Sequence, residues 1–289
     1  MQNIDLHNHS RVSDGLLSPA ELVALAASNG VTGLALTDHD DLAGLPEARV
    51  AAFQHGLGFV TGVEISVTWN QMTLHILGLA VDEQYTPLQQ GLARLRQGRQ
   101  ERAERMAFDL ARAGIAGALE GARHHAQQSA ILARTHFARY LVEKGVARDI
   151  QGVFKRYLVK GKPGYVVHHW AMLGEALSWI LGAGGIPVIA HPGRYALKPG
   201  QMARLLDEFT DLGGRAIEVA TANHTPEQRE RFAGLALRHG LMASRGGDYH
   251  GPGESWTEPG RIAPLPPGLT PVWEDARMRA QLMCYSGSC

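Results

Sequence analysis

The chain has 289 residues, 45% hydrophobic and 19% charged, with 28 basic and 28 acidic side chains and a formal net charge of zero. This is the profile of a folded globular protein and excludes a disordered, collagen-like or low-complexity chain. No run of about 18 uncharged apolar residues occurs, so no membrane-spanning helix is expected. With the opening Met1-Gln2-Asn3-Ile4-Asp5 no secretion signal is expected, and Cys284 and Cys289, at the C-terminal end, are not expected to staple a core. A cytoplasmic protein is the expectation.

Short apolar runs at 4–6, 33–37, 58–63, 73–77, 186–190, 216–219 and 241–244 predict seven strands. After the first, Ser18-Pro19-Ala20-Glu21 supplies a cap, a proline at the first helical position and a capping-box glutamate, and Gly30 ends that helix. Residues 45–55, closed by Gly56, predict a second helix; 204–212 and 226–239 predict two later ones. Strand and helix in alternation predict an α/β protein of parallel βα units.

The alternation stops between about 86 and 169, where the chain is helix-rich and without clear strands until Gly164-Tyr165-Val166-Val167. The expected organisation is a barrel from 1–85 plus 170–289, with 86–169 an inserted helix-rich, basic subdomain capping the active site. Residues 94–162 carry a net charge of +9, leaving −9 for the rest, which suggests an acidic body facing an anion receiver. The arginines between 94 and 112 read first as a solvated helix face. The Gly- and Pro-rich segment 252–289 predicts irregular wrapping.

Six of the fourteen histidines fall at or just past the end of a predicted strand. Residues 4–6 run into His7-Asn8-His9, and 33–37 into Asp38-His39-Asp40. Residues 60–63 end in Glu64, His75 lies late in the next strand, and 186–190 run into His191. After 241–244 comes Gly246-Gly247-Asp248-Tyr249-His250. In a parallel barrel these ends converge on one face, where imidazoles and carboxylates together bind divalent metals. The His-X-His spacing puts both rings on one side of a strand.

Asp5-Leu6-His7-Asn8-His9-Ser10, Thr37-Asp38-His39-Asp40, Gly62-Val63-Glu64, Ala190-His191-Pro192-Gly193-Arg194 and Gly246-Gly247-Asp248-Tyr249-His250 stand in this order between residues 3 and 251. They resemble the motifs of the PHP (polymerase and histidinol phosphatase) family, an amidohydrolase-like group of metal-dependent phosphoesterases. The resemblance implies a distorted seven-stranded (β/α) TIM-like barrel with two or three divalent ions. It implies a first metal on His7, His9, Glu64 and Asp248, and a second on Glu64, His75 and His191. Asp14, His39 and His250 would hold a third. Ser13-Asp14-Gly15 alone reads equally as a turn or helix cap. Asp38 and Asp40 read as groups that orient imidazoles. Mixed imidazole and carboxylate ligands suit Mn2+ first, with Fe2+ or Zn2+ also compatible.

A second resemblance lies in the insert. Ala133-Arg134-Thr135-His136-Phe137-Ala138, Phe154-Lys155-Arg156-Tyr157-Leu158 and Gly161-Lys162-Pro163-Gly164-Tyr165-Val166 are similar to a PHP subgroup acting on nucleotide phosphates. The position after Arg134, often proline in that subgroup, is Thr135 here, and the usual serine before Asp248 is Gly247. Arg134 and Arg194 can each grip phosphate with two parallel hydrogen bonds. His136, His224, Lys160 and Lys162 complete the expected substrate contacts.

The implied reaction is removal of the 3′-phosphate from nucleoside 3′,5′-bisphosphates by a hydroxide held between metals, leaving the 5′-monophosphate. Alternatives are a 5′-to-3′ exonuclease on short 5′-phosphorylated RNA and a histidinol-phosphatase-like enzyme. A non-catalytic polymerase-associated module and an amide-cleaving hydrolase fit less well. The expected partner is a nucleotide or short RNA, with no membrane and no obligate protein.

Overall fold

The computed structural model describes residues 2–127 and 129–284. Seven strands follow one another around a barrel: β1 (Ile4–Asp5), β2 (Gly33–Leu36), β3 (Gly58–Trp69), β4 (Met72–Leu79), β6 (Ile186–Ile189), β7 (Ala216–Thr221) and β8 (Met242–Gly246). The two-residue β5 (Ala171–Met172) pairs with β3 off this path. Leu6 N–H donates to the Arg245 carbonyl at 3.0 Å, and Asn8 bridges in parallel to Tyr249, so the first and last strands meet.

The seven expected barrel strands are present, but one runs the other way. β3 turns through Asn70 and Gln71 into β4, which lies antiparallel to both β3 and β6. Both turn residues have positive φ, 46° and 62°, as a two-residue hairpin matching the right-handed strand twist requires. His75 therefore lies in the first half of an inverted strand, not late in a parallel one. Its register opposite Ser66, two residues past Glu64, still brings it to the barrel end that carries the other histidines. β3 also runs on to Trp69, so Glu64 lies mid-strand.

Outside the barrel lie α1 (Pro19–Ser28), with the predicted Ser18–Glu21 capping box, and α2 (Leu45–His55), ended by Gly56. α3 (Thr86–Arg112) is 27 residues long, about 40 Å of helix. α4 (Ala118–Ala126), α5 (Arg134–Glu143) and α6 (Ile150–Val153) follow it, the last continuing as a π-helical turn to Leu158. Residues 164–167 form no strand. α7 (Leu173–Gly182), α8 (Pro199–Asp211) and α9 (Pro226–Arg238) return to the barrel wall.

The first half of α3 packs Leu88, Leu92 and Leu95 into the core shared with Trp179, Ile180 and the outer barrel face. Its second half packs Met106 and Leu110 against Phe137, Leu141 and Leu158, a separate apolar cluster built by the insert. Each such fully buried side chain contributes about 1.5–3 kcal/mol.

Among the described residues the C-terminal segment is not all irregular wrapping. It includes α10 (Ala276–Cys284), and Met278 and Val272 reach the barrel core beside Leu6, Val60 and Val188. Gly33 and Gly58 open β2 and β3, and a Cβ on either would lie within 3 Å of Leu282. α10 thus closes the end of the barrel away from the histidines. Cys289 lies outside the described residues.

Candidate metal centre and arginine cluster

Residues 7–9 continue β1 in extended form. Asp248 N–H donates to the His7 carbonyl at 2.8 Å, His9 N–H to the Tyr249 carbonyl at 2.9 Å, and Thr37 N–H to the Asn8 carbonyl at 2.9 Å. Pinned from both sides, His7 and His9 point their rings the same way and Asn8 points away toward Asp5. Both rings are fully buried. His191 (φ 27°) and Asp248 (φ 51°), just past β6 and β8, hold left-handed backbone conformations that non-glycine residues rarely adopt; such strain gathers at functional sites. A Cβ at Gly246 would lie 2.3 Å from the His7 Cβ, so only glycine lets β8 pass beside that ligand.

The sequence-predicted ligands converge. Three groups offer donor atoms all within 4.8 Å of one another: His7, His9, Glu64 and Asp248; His9, Asp14, His39 and His250; and His39, Glu64 and His75. His191 joins the third through Glu64 Oε1 at 2.9 Å and His75 Nδ1 at 3.3 Å. The groups share members, so they form one continuous centre. Glu64, His9 and His39 each belong to two of them.

The donor chemistry fits divalent cations. Glu64 Oε2 has the ring nitrogens of His39, His9 and His7 at 2.9, 3.2 and 3.4 Å, none aligned as a hydrogen bond. Asp14 Oδ1 is also buried without a hydrogen-bond partner. Carboxylate oxygens left so are costly unless a cation takes them up. Burial opposes the charge on Glu64, yet the facing rings of His75, His39 and His7 hold its carboxyl well below the usual range. Burial pushes His39 down to about 4, and burial with the Arg194 charge does the same to His191, so both rings are neutral donors.

His9 behaves oppositely. Burial disfavours its charge, but Asp248 and Glu64 beside it raise it to about 10, and His7 is raised as well. A cation that takes these rings must displace the protons that the neighbouring carboxylates favour there. We expect Mn2+ binding to release protons and to tighten as pH rises above neutrality, read by titration calorimetry in buffers of different ionisation heat. Binding without proton release would contradict this electrostatic picture.

Glu218 was not singled out from the sequence. It is fully buried, accepts from His7 Nδ1 at 3.0 Å and takes the backbone N–H of His191 at 2.5 Å. That fixes the tautomer of His7, leaving Nε2 for the centre. Glu218→Gln is expected to weaken cation affinity about 10- to 100-fold in a chelator competition. Unchanged affinity would exclude the orienting role. Asp38 and Asp40 orient backbone instead of imidazoles. Asp38, raised to about 6 by burial, takes Ser10 N–H, Ser10 Oγ and Ser13 Oγ; Asp40 takes Ser66 N–H, Ser66 Oγ and Arg99.

The expected phosphate contacts separate. Arg194 approaches Asp248 Oδ2 closely, at the centre's rim. Arg134 opens α5, its guanidinium 5.5 Å from the Phe154 ring centre, with no carboxylate partner among the described residues. His224 is spent on structure: Nδ1 donates to the Val219 carbonyl at 2.9 Å and Nε2 accepts from Gly193 N–H at 3.1 Å. His136 is buried, and its Nδ1 accepts Ala133 N–H at the start of α5. Lys160 and Lys162 are exposed, with no side-chain partner among the described residues.

Of the arginines of α3, Arg94, Arg105 and Arg112 are exposed, as a solvated face requires, but two are not. Arg99 and Arg102 are 5% and 8% exposed, at the junction of the two apolar cores. Arg99 pairs with Asp40 and Ser66, whereas Arg102 Nε has no partner among the described residues and its guanidinium stacks 5.5 Å from Trp170. Burial, then the charges of Arg134 and Arg99, lower Arg102 to about 9. Burying a guanidinium without a carboxylate costs several kcal/mol, roughly, which an anionic ligand offsets.

A seven-stranded α/β barrel with buried histidines and carboxylates at one end defines a metal-dependent barrel protein. The chain belongs to the PHP domain family, whose model matches residues 5–183. It is 48% identical over 279 residues, 96% of this chain and 98% of the relative, to a 3′,5′-nucleoside bisphosphate phosphatase from Chromobacterium violaceum. It is 43% identical over 272 residues, 93% of this chain and 92% of the relative, to the 5′-3′ exoribonuclease Rnm of Escherichia coli. An amidohydrolase structure from Chromobacterium violaceum, with bound sulfate and no metal, matches with a TM-score of 0.93 at 47% identity over 96% of both chains. A putative metal-dependent phosphoesterase from Bifidobacterium adolescentis matches with a TM-score of 0.80 at 28% identity, over 98% of this chain and 96% of that one. No helix among the described residues is long and apolar enough to cross a membrane.

Proposed function

We propose that the protein is a metal-dependent phosphoesterase that removes the 3′-phosphate from nucleoside 3′,5′-bisphosphates, leaving the 5′-monophosphate. One observation supports the choice of a doubly phosphorylated substrate: buried Arg102, whose Nε has no partner among the described residues, lies near Arg134 and would form with it an anion receiver separate from the histidine centre. The relative from Chromobacterium violaceum supports the same reading.

His7, His9, Glu64 and Asp248 would hold one cation, Glu64, His75 and His191 a second, and Asp14, His39 and His250 a third; this mixed imidazole and carboxylate set suits Mn2+, Fe2+ or Zn2+. When bound, divalent cations lower the pKa of water toward about 7 and offset charge on phosphate oxygens. The chain's own residues do the rest. Arg194, at the rim, covers charge on the phosphate that reacts, while Arg134 and Arg102 hold the other phosphate and so decide which ester enters the centre. Glu218 keeps His7 and the His191 turn in place. The insert, residues 86–169, acts as the cap that brings the arginines over the barrel end.

The test is a comparison of turnover with added Mn2+ on adenosine 3′,5′-bisphosphate, a 5′-phosphorylated RNA oligomer and histidinol phosphate. The account predicts fastest phosphate release from the bisphosphate. Faster cleavage of the oligomer would make the arginine cluster part of an RNA groove, in line with the relative from Escherichia coli.

A further inference from the structure

The group formed by His9, Asp14, His39 and His250 is not built by the barrel alone. Asp14 stands in the loop 10–15 after β1, and its carboxylate is buried. Oδ1 faces His250 Nε2 at 3.4 Å and His39 Nε2 at 3.9 Å, with no hydrogen-bond partner. The other oxygen, Oδ2, accepts a hydrogen bond from Thr135 Oγ1 at 2.8 Å. Thr135 is the second residue of α5, so its donor comes from the insert.

One turn further along α5, on the same face, Arg139 is 8% exposed and grips both loops that carry the group. It donates to the Asp14 backbone carbonyl at 2.6 Å and makes two hydrogen bonds, 2.8 and 2.7 Å, to the carboxylate of Glu254. Glu254 lies four residues past His250, in the turn where Ser255 Oγ accepts His250 N–H at 2.7 Å. Ser129, also from the insert, donates to the Val12 carbonyl at 2.8 Å.

We propose that Thr135 is a positioning residue for the Asp14–His39–His250 cation site, so that the affinity of this site is set by the insert. The proposal rests on the reading of that group as a cation site. A carboxylate can rotate about its last bond, and a donor fixed on one oxygen holds the other toward the ligand point. Thr135 supplies that donor, and Arg139 fixes the backbone from which Asp14 projects. Neither group reaches the other two cation positions, which are made by barrel strands and the turns after them.

The experiment counts ions instead of turnover. Cation-free wild-type, Thr135→Val, Thr135→Ala and Thr135→Ser proteins are equilibrated with graded Mn2+, bound metal is measured by atomic emission, and folding is followed by circular dichroism. Wild type is expected to bind three ions. Thr135→Val, which keeps the shape, and Thr135→Ala, which removes bulk, should both weaken one ion about 10- to 100-fold and leave two unchanged. Thr135→Ser, which keeps the hydroxyl, should restore the third ion. Three ions at wild-type affinity in both Val and Ala variants would overturn the role of Thr135. A serine variant as weak as valine would also overturn it, because the hydrogen bond would then not be the cause. Two ions in wild type itself would overturn the three-cation reading, and the proposal with it.

Discussion

His9→Ala is expected to lower turnover by about a thousandfold or more while the protein stays folded. His9 is shared by two of the three donor groups, lying 3.0 Å from Asp248 Oδ1 and 3.2 Å from Glu64 Oε2, with its ring stacked 4.2 Å from that of His250. Its loss therefore weakens two adjoining cation positions together. The fold should survive because the barrel joint at this point is made by backbone hydrogen bonds of residues 7–9, not by the imidazole. Asp248→Asn should act in the same direction, since it removes the charge that faces both His9 and Arg194. Steady-state kinetics with circular dichroism and metal counting check both variants. Near-wild-type turnover at full metal occupancy in either would remove the centre from the chemistry.

Arg134→Ala is expected to cut kcat/KM for a nucleoside 3′,5′-bisphosphate by about 10- to 150-fold, while turnover of a simple aryl phosphate changes little. The figure follows from about 1.5–3 kcal/mol for a hydrogen bond to a charged group. Arg134 lies in the insert beside Arg102, whereas the rim arginine at the metal centre is Arg194, paired with Asp248. A substrate with one phosphate fills only the centre and does not require the second receiver. Equal losses on the two substrates would mean that Arg134 serves the reacting phosphate or the fold.

The strand ends and their histidines were legible because short apolar runs stop where ligands begin, and His7-Asn8-His9 needs only strand geometry to place two rings together. The inversion of β4 was not, since apolar alternation carries no direction; the one signal was the polar Asn70-Gln71 pair at the hairpin. Glu218 stood between Ile217 and Val219 in an apolar strand, a charge where burial was certain, and could have been flagged as a partner for an imidazole. On α3 the buried positions 88, 92, 95, 99, 102, 106 and 110 keep helical spacing throughout. Arg99 and Arg102 thus occupy core-face positions, but composition alone makes such a helix read as solvated. Which polar atoms are already used is a tertiary fact. His224 reads as a phosphate contact until the Val219 and Gly193 backbone groups are seen on both of its nitrogens, whereas His136 gives up only Nδ1, to Ala133 N–H.

The products formed from adenosine 3′,5′-bisphosphate with Mn2+, followed by phosphorus NMR, decide between a 3′-phosphatase and its alternatives. Adenosine 5′-monophosphate and inorganic phosphate are expected, with no reaction after chelation and recovery when Mn2+ is returned. Adenosine 3′-monophosphate as product would reverse the assignment of the two phosphate positions. Hydrolysis that persists without divalent metal would exclude a metal-dependent phosphoesterase.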